Sequence, residues 1–108
     1  MNENQVVVYH YSSVKFDKFD LAKCDGFWFT DIAPDNEEML NEIGANSSKY
    51  CAKCVIEIES PEFNGPNHDI EGFILDNDCD GIINRYEGFT DYVLIDNSKI
   101  QILEWLEV

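Results

Sequence analysis

Basic residues are scarce in this chain: 7 Lys and Arg stand against 22 Asp and Glu in 108 residues, a formal net charge of −15. Such a balance leaves no footprint for direct binding of nucleic acid or of an anionic membrane, both of which are held by clusters of Lys and Arg. Long apolar runs are missing too, and none approaches the ~20 residues of a bilayer-spanning helix. The polar start, Met1-Asn2-Glu3-Asn4-Gln5, lacks the pattern of a signal peptide, so a cytoplasmic protein is expected. No repeat, low-complexity tract or linker interrupts the chain, and residues 1–108 read as one domain. What is present is apolar: 44% of the residues are hydrophobic and 13% aromatic, which suits a packed core and excludes a disordered acidic tail. A protein partner should offer a basic surface.

Four cysteines, Cys24, Cys51, Cys54 and Cys79, are expected as thiols in a reducing compartment. The Cys51-x-x-Cys54 spacing invites a zinc or redox reading. A four-cysteine zinc site, however, uses two such knuckles, and here the other two cysteines stand alone. Cys54 also leads into the alternating run Val55-Ile56-Glu57-Ile58-Glu59, a strand pattern in which a buried cysteine serves as a small hydrophobe.

The order of elements follows from pattern. Gln5 to Tyr11 is β-branched and aromatic, a strand whose uninterrupted apolar character predicts burial on both faces. Phe16 to Asp20 is a short amphipathic piece, and Gly26-Phe27-Trp28-Phe29-Thr30 is a second strand. Asp31 to Pro34 supplies a turn and helix start, with Pro34 near the first turn and Asp35, Glu37 and Glu38 at the positive end of the dipole. The helix carries Met39, Leu40 and Ile43 on its apolar side and ends at Gly44. A third strand covers Cys51 to Glu59, Glu62 to Asp69 is loop, and Ile70 to Leu75 makes one helical turn. Gly81–Tyr86 and Asp91–Ile95 pair around Glu87-Gly88-Phe89-Thr90, and the last strand holds Ile100 to Leu103 and Trp105-Leu106. The expected class is α+β, with a mainly antiparallel sheet and one or two short helices.

Three groups of residues carry chemistry. Asp76-Asn77-Asp78-Cys79-Asp80-Gly81, closed by Glu87, matches the calcium-loop spacing at every position. Its surroundings lack an exiting helix, because Gly88 and a strand pattern follow at once, so a solvated acidic turn is the alternative. The second group is Tyr9-His10-Tyr11-Ser12 with Phe27-Trp28-Phe29-Thr30 and Tyr50, an imidazole and aromatic faces suited to a flat cationic ring. The third holds the carboxylates Glu87 and Asp91 near Asp80-Gly81-Ile82-Ile83 and Tyr92-Val93-Leu94-Ile95-Asp96.

In this order the pieces resemble the ADP-ribosyltransferase fold, a split and mainly antiparallel sheet, and most of all its small phage- and mobile-element-associated members of the histidine-tyrosine-glutamate type. The likeness runs from Val6 to Leu103 through short motifs. It implies an NAD-dependent transferase, toxin-like or host-modifying, with NAD as co-substrate and no metal. His10 would hold a ribose hydroxyl with Ser12 beside it, Phe29 and Thr30 would line the nicotinamide pocket, and Tyr50 would stack on the ring. Asp91 stands where the family carries its catalytic acid, with Glu87 as the substitute. In this chemistry positive charge grows on the sugar as the nicotinamide–ribose bond breaks, and a nearby carboxylate stabilises it.

This chain departs from the family pattern in its acid, Asp91 in place of the commoner Glu. Its charge also opposes an anionic dinucleotide, with Lys15, Lys18, Lys23 and Arg85 as the cations suited to a pyrophosphate. A non-catalytic acidic inhibitor or nucleic-acid mimic on a degenerate form of the same fold is therefore the second reading, and a calcium module the third.

Overall fold

The computed structural model describes residues 2–20, 26–45 and 47–108, so Lys23 and Cys24 lie outside the described residues. The elements are β1 (Gln5–Ser12), β2 (Phe27–Thr30), α1 (Glu37–Glu42), β3 (Tyr50–Glu57), β4 (Pro61–Phe63), α2 (Ile70–Asp76), β5 (Gly81–Tyr86), β6 (Phe89–Leu94) and β7 (Ile100–Glu107), with a 3-10 turn at Asn97–Lys99. The strands form one sheet in the order β4-β5-β6-β2-β1-β3-β7. Only the β4–β5 pair is parallel. The fold is α+β with a mostly antiparallel seven-stranded sheet and few, short helices.

Side chains alternate across a strand, so each strand sends two sets of residues to opposite faces. One face carries Val8 of β1, Phe27 and Phe29 of β2, Cys54 and Ile56 of β3, and Leu94 of β6. Phe19 covers them, with Phe16 packed alongside. The amphipathic piece 16–20 thus anchors its two aromatics in the core without forming a helix or strand.

Both helices lie on the other face. Ile70 and Ile74 of α2 pack on Ile82 and Val93 with Trp28, and Leu40 of α1 joins Ile32 and Ala45 against Tyr11 and Phe89. Asn36, not Pro34 or Asp35, starts α1, because its Oδ1 accepts the Met39 N–H at 3.2 Å. The helix ends where the sequence predicts: Gly44 has φ +76°, its N–H donates to the Asn41 carbonyl, and the Ala45 N–H donates to that of Leu40. This pairing satisfies two terminal carbonyls and needs a left-handed residue at that position.

Several expectations change. Only Val8 of β1 is fully buried, because the helices cover the Tyr11 end and the β2–β6 side and leave Val7 and Tyr9 half-open. At the start of the predicted loop, Pro61–Phe63 forms β4, which overlaps that loop at Glu62 and Phe63 and is fixed by pairing with Gly81–Ile83 some twenty residues away. The β5–β6 turn is only Glu87-Gly88, since Tyr86 pairs with Phe89 and Gly88 takes φ +93°. The last strand runs unbroken through Glu104. Cys54 pairs with Ile102 and Lys53 with Glu104, which leaves Leu103 as an unpaired bulge residue.

Asp80 binds this framework together. Its Oδ2 accepts the Glu59 N–H at 2.7 Å and its Oδ1 the Ser60 N–H at 2.9 Å, tying the end of the β3 segment to the start of β5. Asp80→Ala removes both acceptors, and should lower unfolding free energy by about 1.5–3 kcal/mol, read as a lower urea midpoint at unchanged slope.

Candidate functional site

The sheet is weakest between β1 and β2. β1 pairs with β3 along its whole length, yet Tyr9–Thr30 is its single register pair with β2. Beyond that rung a side chain takes over: His10 Nδ1 lies 2.7 Å from the Trp28 carbonyl oxygen. A carbonyl only accepts, so Nδ1 carries the proton and Nε2 of the neutral ring is left as an acceptor. Burial keeps the ring neutral by lowering its pKa, against the opposing effect of the Trp28 bond. Phe16 and Phe19 meet the imidazole edge-on at 5.7 and 5.0 Å, and Phe29 meets it tilted at 5.7 Å.

Two cavities meet at His10 and Trp28. The larger, about 440 Å³, lies among Ser12, Val14, Phe16, Lys18, Phe19, Asp20, Gly26 and Phe27. The smaller, about 200 Å³, is lined by Tyr9, Tyr11, Phe29, Thr30, Ile43, Ala45 and Asp91. Four of the residues singled out in the sequence, His10, Phe29, Thr30 and Asp91, therefore line one cavity from three adjacent strands, although the rings of His10 and Phe29 pack together on the aromatic face and Thr30 and Asp91 belong to the helix-bearing face.

Strand register explains the convergence. Asp91 pairs with Thr30 on one side and Asn84 on the other, Thr30 pairs with Tyr9, and Tyr9 pairs with Lys53. Directly opposed residues share a face, so Lys53, Tyr9, Thr30, Asp91 and Asn84 form a polar row across five strands on the helix-bearing side. Thr30 Oγ1 accepts the Ile32 N–H at 3.4 Å, leaving its hydroxyl proton to donate. Asn84 Oδ1 accepts the Gly65 N–H at 2.9 Å. No donor among the described residues reaches the Asp91 carboxylate.

Burial, with a smaller push from the neighbouring Asp31 charge, raises the Asp91 pKa from 3.8 to about 6. Asp31 is fixed beside it: its N–H donates to the Thr90 carbonyl, and its Oδ1 accepts the Thr90 N–H at 3.0 Å.

The other expected residues fall elsewhere. Ser12 lines the larger cavity, and its hydroxyl donates to the Val14 carbonyl at 2.7 Å. Tyr50 opens β3 opposite Ser12 and lines neither cavity; its ring lies under the Lys15 ammonium at 5.1 Å. Glu87 sits exposed in the hairpin turn, away from both cavities. Lys18 lines the larger cavity, whereas Arg85 stacks over Phe63 at 4.9 Å near the outer edge of the sheet. Tyr9 and Trp28, grouped with His10 in the sequence as aromatic faces, line the smaller cavity, and Lys53, not singled out from sequence, stands beside Tyr9 in the polar row. Only strand register could have marked Lys53.

Asp76, Asp78 and Asp80 are separated from Glu87 by the whole of β5, and Asp80 spends both oxygens on backbone N–H groups. Among the described residues no three His, Cys, Asp or Glu side chains could hold a metal ion. Cys51 and Cys54, three apart on one strand, face opposite sides of the sheet, one opposite Tyr11 and one opposite Val8. Burial pushes their thiols up to about 11 and 12. They cannot act as one pair of ligands. Among the described residues, no helix is long and apolar enough to cross a membrane.

Comparison with protein-family models and with curated protein sequences finds no match for this chain.

A carboxyl group that is harder to ionise in the folded state favours folding where it is protonated, and that contribution fades as pH rises from about 4 through 6. Asp91→Asn should therefore stabilise the protein at pH 7.5 and leave it nearly unchanged at pH 3.5. Urea midpoints of both proteins at the two pH values test this, and an equal shift at both would contradict the burial argument.

Proposed function

We propose that the chain is a single-domain, cytoplasmic NAD-dependent ADP-ribosyltransferase that modifies a basic protein. The observation that carries this reading is the gap between β1 and β2, where His10, Thr30 and Asp91 line one cavity, with Thr30 and Asp91 on the helix-bearing face and the His10 imidazole on the aromatic face. The polar groups fit a ribosyl ligand that straddles the β1–β2 seam: on the helix-bearing face Thr30 donates to a sugar hydroxyl and Asp91 accepts one, while Nε2 of His10 is an acceptor on the aromatic face. The aromatic walls of the larger cavity suit a flat heterocycle, and its volume lies within the range of about 300–1,000 Å³ found for small-molecule sites.

The transfer breaks the bond between the nicotinamide nitrogen and ribose C1, and the electron pair leaves on that nitrogen. Asp91 faces the positive charge developing on the sugar, where a fixed carboxylate in a partly desolvated site acts strongly. A lone pair of the target's side chain forms the new bond to C1, and Asp91 takes the displaced proton. With its pKa near 6, Asp91 is mostly ionised at neutral pH and still a competent base. His10, locked as the Nδ1–H tautomer by Trp28, offers Nε2 to the part of the ligand that enters the seam from the aromatic face.

Exposed acids on the helices support a basic target. Glu37, Glu38 and Glu42 of α1 and Glu71 and Asp76 of α2 stand on the same side of the sheet as the smaller cavity. The same acids favour one second reading, a non-catalytic acidic binder of a basic groove.

Incubation with labelled NAD, alone and with a basic protein such as histone, separates the two. The expected result is nicotinamide release or labelled target, cut by a hundredfold or more in His10→Ala and in Asp91→Ala and unchanged in Glu87→Ala. Absence of turnover, together with salt-sensitive histone binding that His10→Ala leaves intact, would establish the acidic binder instead.

A further inference from the structure

The geometry points to Lys53 as the residue that receives the phosphate groups of a ribosyl diphosphate ligand, an assignment that rests on the ribose-binding reading above and extends it. Lys53 is the cation in the polar row: Lys53 pairs with Tyr9, Tyr9 with Thr30, and Thr30 with Asp91. Adjacent strands are about 4.8 Å apart, which places the Lys53 backbone roughly 10 Å from Thr30 and roughly 14 Å from Asp91 along the row. The four-carbon lysine stem narrows that gap toward the reach of a sugar and its phosphate linkage.

The remaining described cations are placed differently. Lys99 faces Glu57 and Glu59 at 3.4 and 4.0 Å, Lys15 lies over Tyr50, and Arg85 over Phe63. Lys18 lines the cavity on the other side of the seam, and Lys49 precedes β3 outside the row. Lys53 is half-buried. Glu104 pairs with it across β7, yet among the described residues no carboxylate comes within 4.0 Å of its ammonium.

The ground around it is open. The α1 cluster reaches Tyr11 and the α2 cluster reaches Trp28, while Val7 and Val55, which flank Tyr9 and Lys53, belong to neither. In a chain of charge −15 an anion is admitted only where a cation stands. Lys53 supplies that cation in a row whose hydroxyls, Tyr9 and Thr30, and carboxylate, Asp91, suit a sugar.

Calorimetric titration with ADP-ribose and with nicotinamide riboside, which keeps the ribose but has no phosphate, tests the assignment. Lys53→Gln should weaken ADP-ribose about tenfold and leave the riboside unchanged, as expected for loss of one charged hydrogen-bonding partner. Lys53→Arg, which keeps the charge, should stay within about threefold of the native affinity and controls for folding. Equal loss for both probes in Lys53→Gln, or none for ADP-ribose, overturns the role of Lys53 alone. Failure of the native chain to bind either probe overturns the ribose reading together with it.

Discussion

The hydrogen bond from His10 Nδ1 to the Trp28 carbonyl stands where a backbone rung would otherwise join β1 to β2. A continuous ladder would close the sheet and leave no space between these strands. Here the single Tyr9–Thr30 rung sets the register, and the imidazole satisfies the next carbonyl from the side. The opened seam lets cavities form on both faces of the sheet at the same two residues. That bond also fixes the tautomer of His10, so local structure and site chemistry rest on the same contact. The ring is held by three phenylalanines, two of them contributed by a segment with no regular structure.

A sheet that places Thr30, Asp91 and Asn84 side by side in its interior sacrifices some apolar burial for polar side chains. Thr30 and Asn84 are accommodated because each accepts a backbone N–H. Asp91 has no such partner, and Asp31 beside it adds like charge, so the carboxyl resists ionisation. Strand pairing on both sides prevents Asp91 from turning away, which is how the fold maintains a group in an environment it would not choose alone. Groups held in this state are found disproportionately at functional sites.

Charge is segregated in the same spirit. Acids crowd the outer surfaces of the two helices and the β5–β6 turn, while the aromatic face beneath Phe16 and Phe19 is apolar. The cations are spread thinly over rings and carboxylates. An acidic surface of this kind attracts basic proteins over a range of about a Debye length, ~8–10 Å at ordinary ionic strength.

Much of this architecture was legible in the residues. The β-branched and aromatic runs marked the long strands, Gly44 marked the end of α1, and the alternation after Cys54 correctly made that cysteine a core residue. His10, Phe29, Thr30 and Asp91 were all singled out from sequence, and all four flank the β1–β2 seam, two side chains on each face of the sheet. Sequence could not place Tyr50 and Glu87 away from the two cavities, because nothing local says which face a strand's first residue takes or how tight a hairpin turn is. The calcium-like spacing, already set aside in the sequence for want of an exiting helix, shows a related limit: a pattern counts residues, whereas β5 extends them and carries Glu87 away from Asp80. β4 was invisible, since three residues hold no periodicity and their partner is distant in the chain.

Local composition, through hydrogen-bonding preference and alternation, thus determined the strand and helix segments, the acidic surface and the candidate residues. Register belongs to pairs of strands, and no single segment encodes it. Only the tertiary structure could align Lys53, Tyr9, Thr30, Asp91 and Asn84, because each rung depends on non-local hydrogen bonds whose geometry is set by the whole sheet.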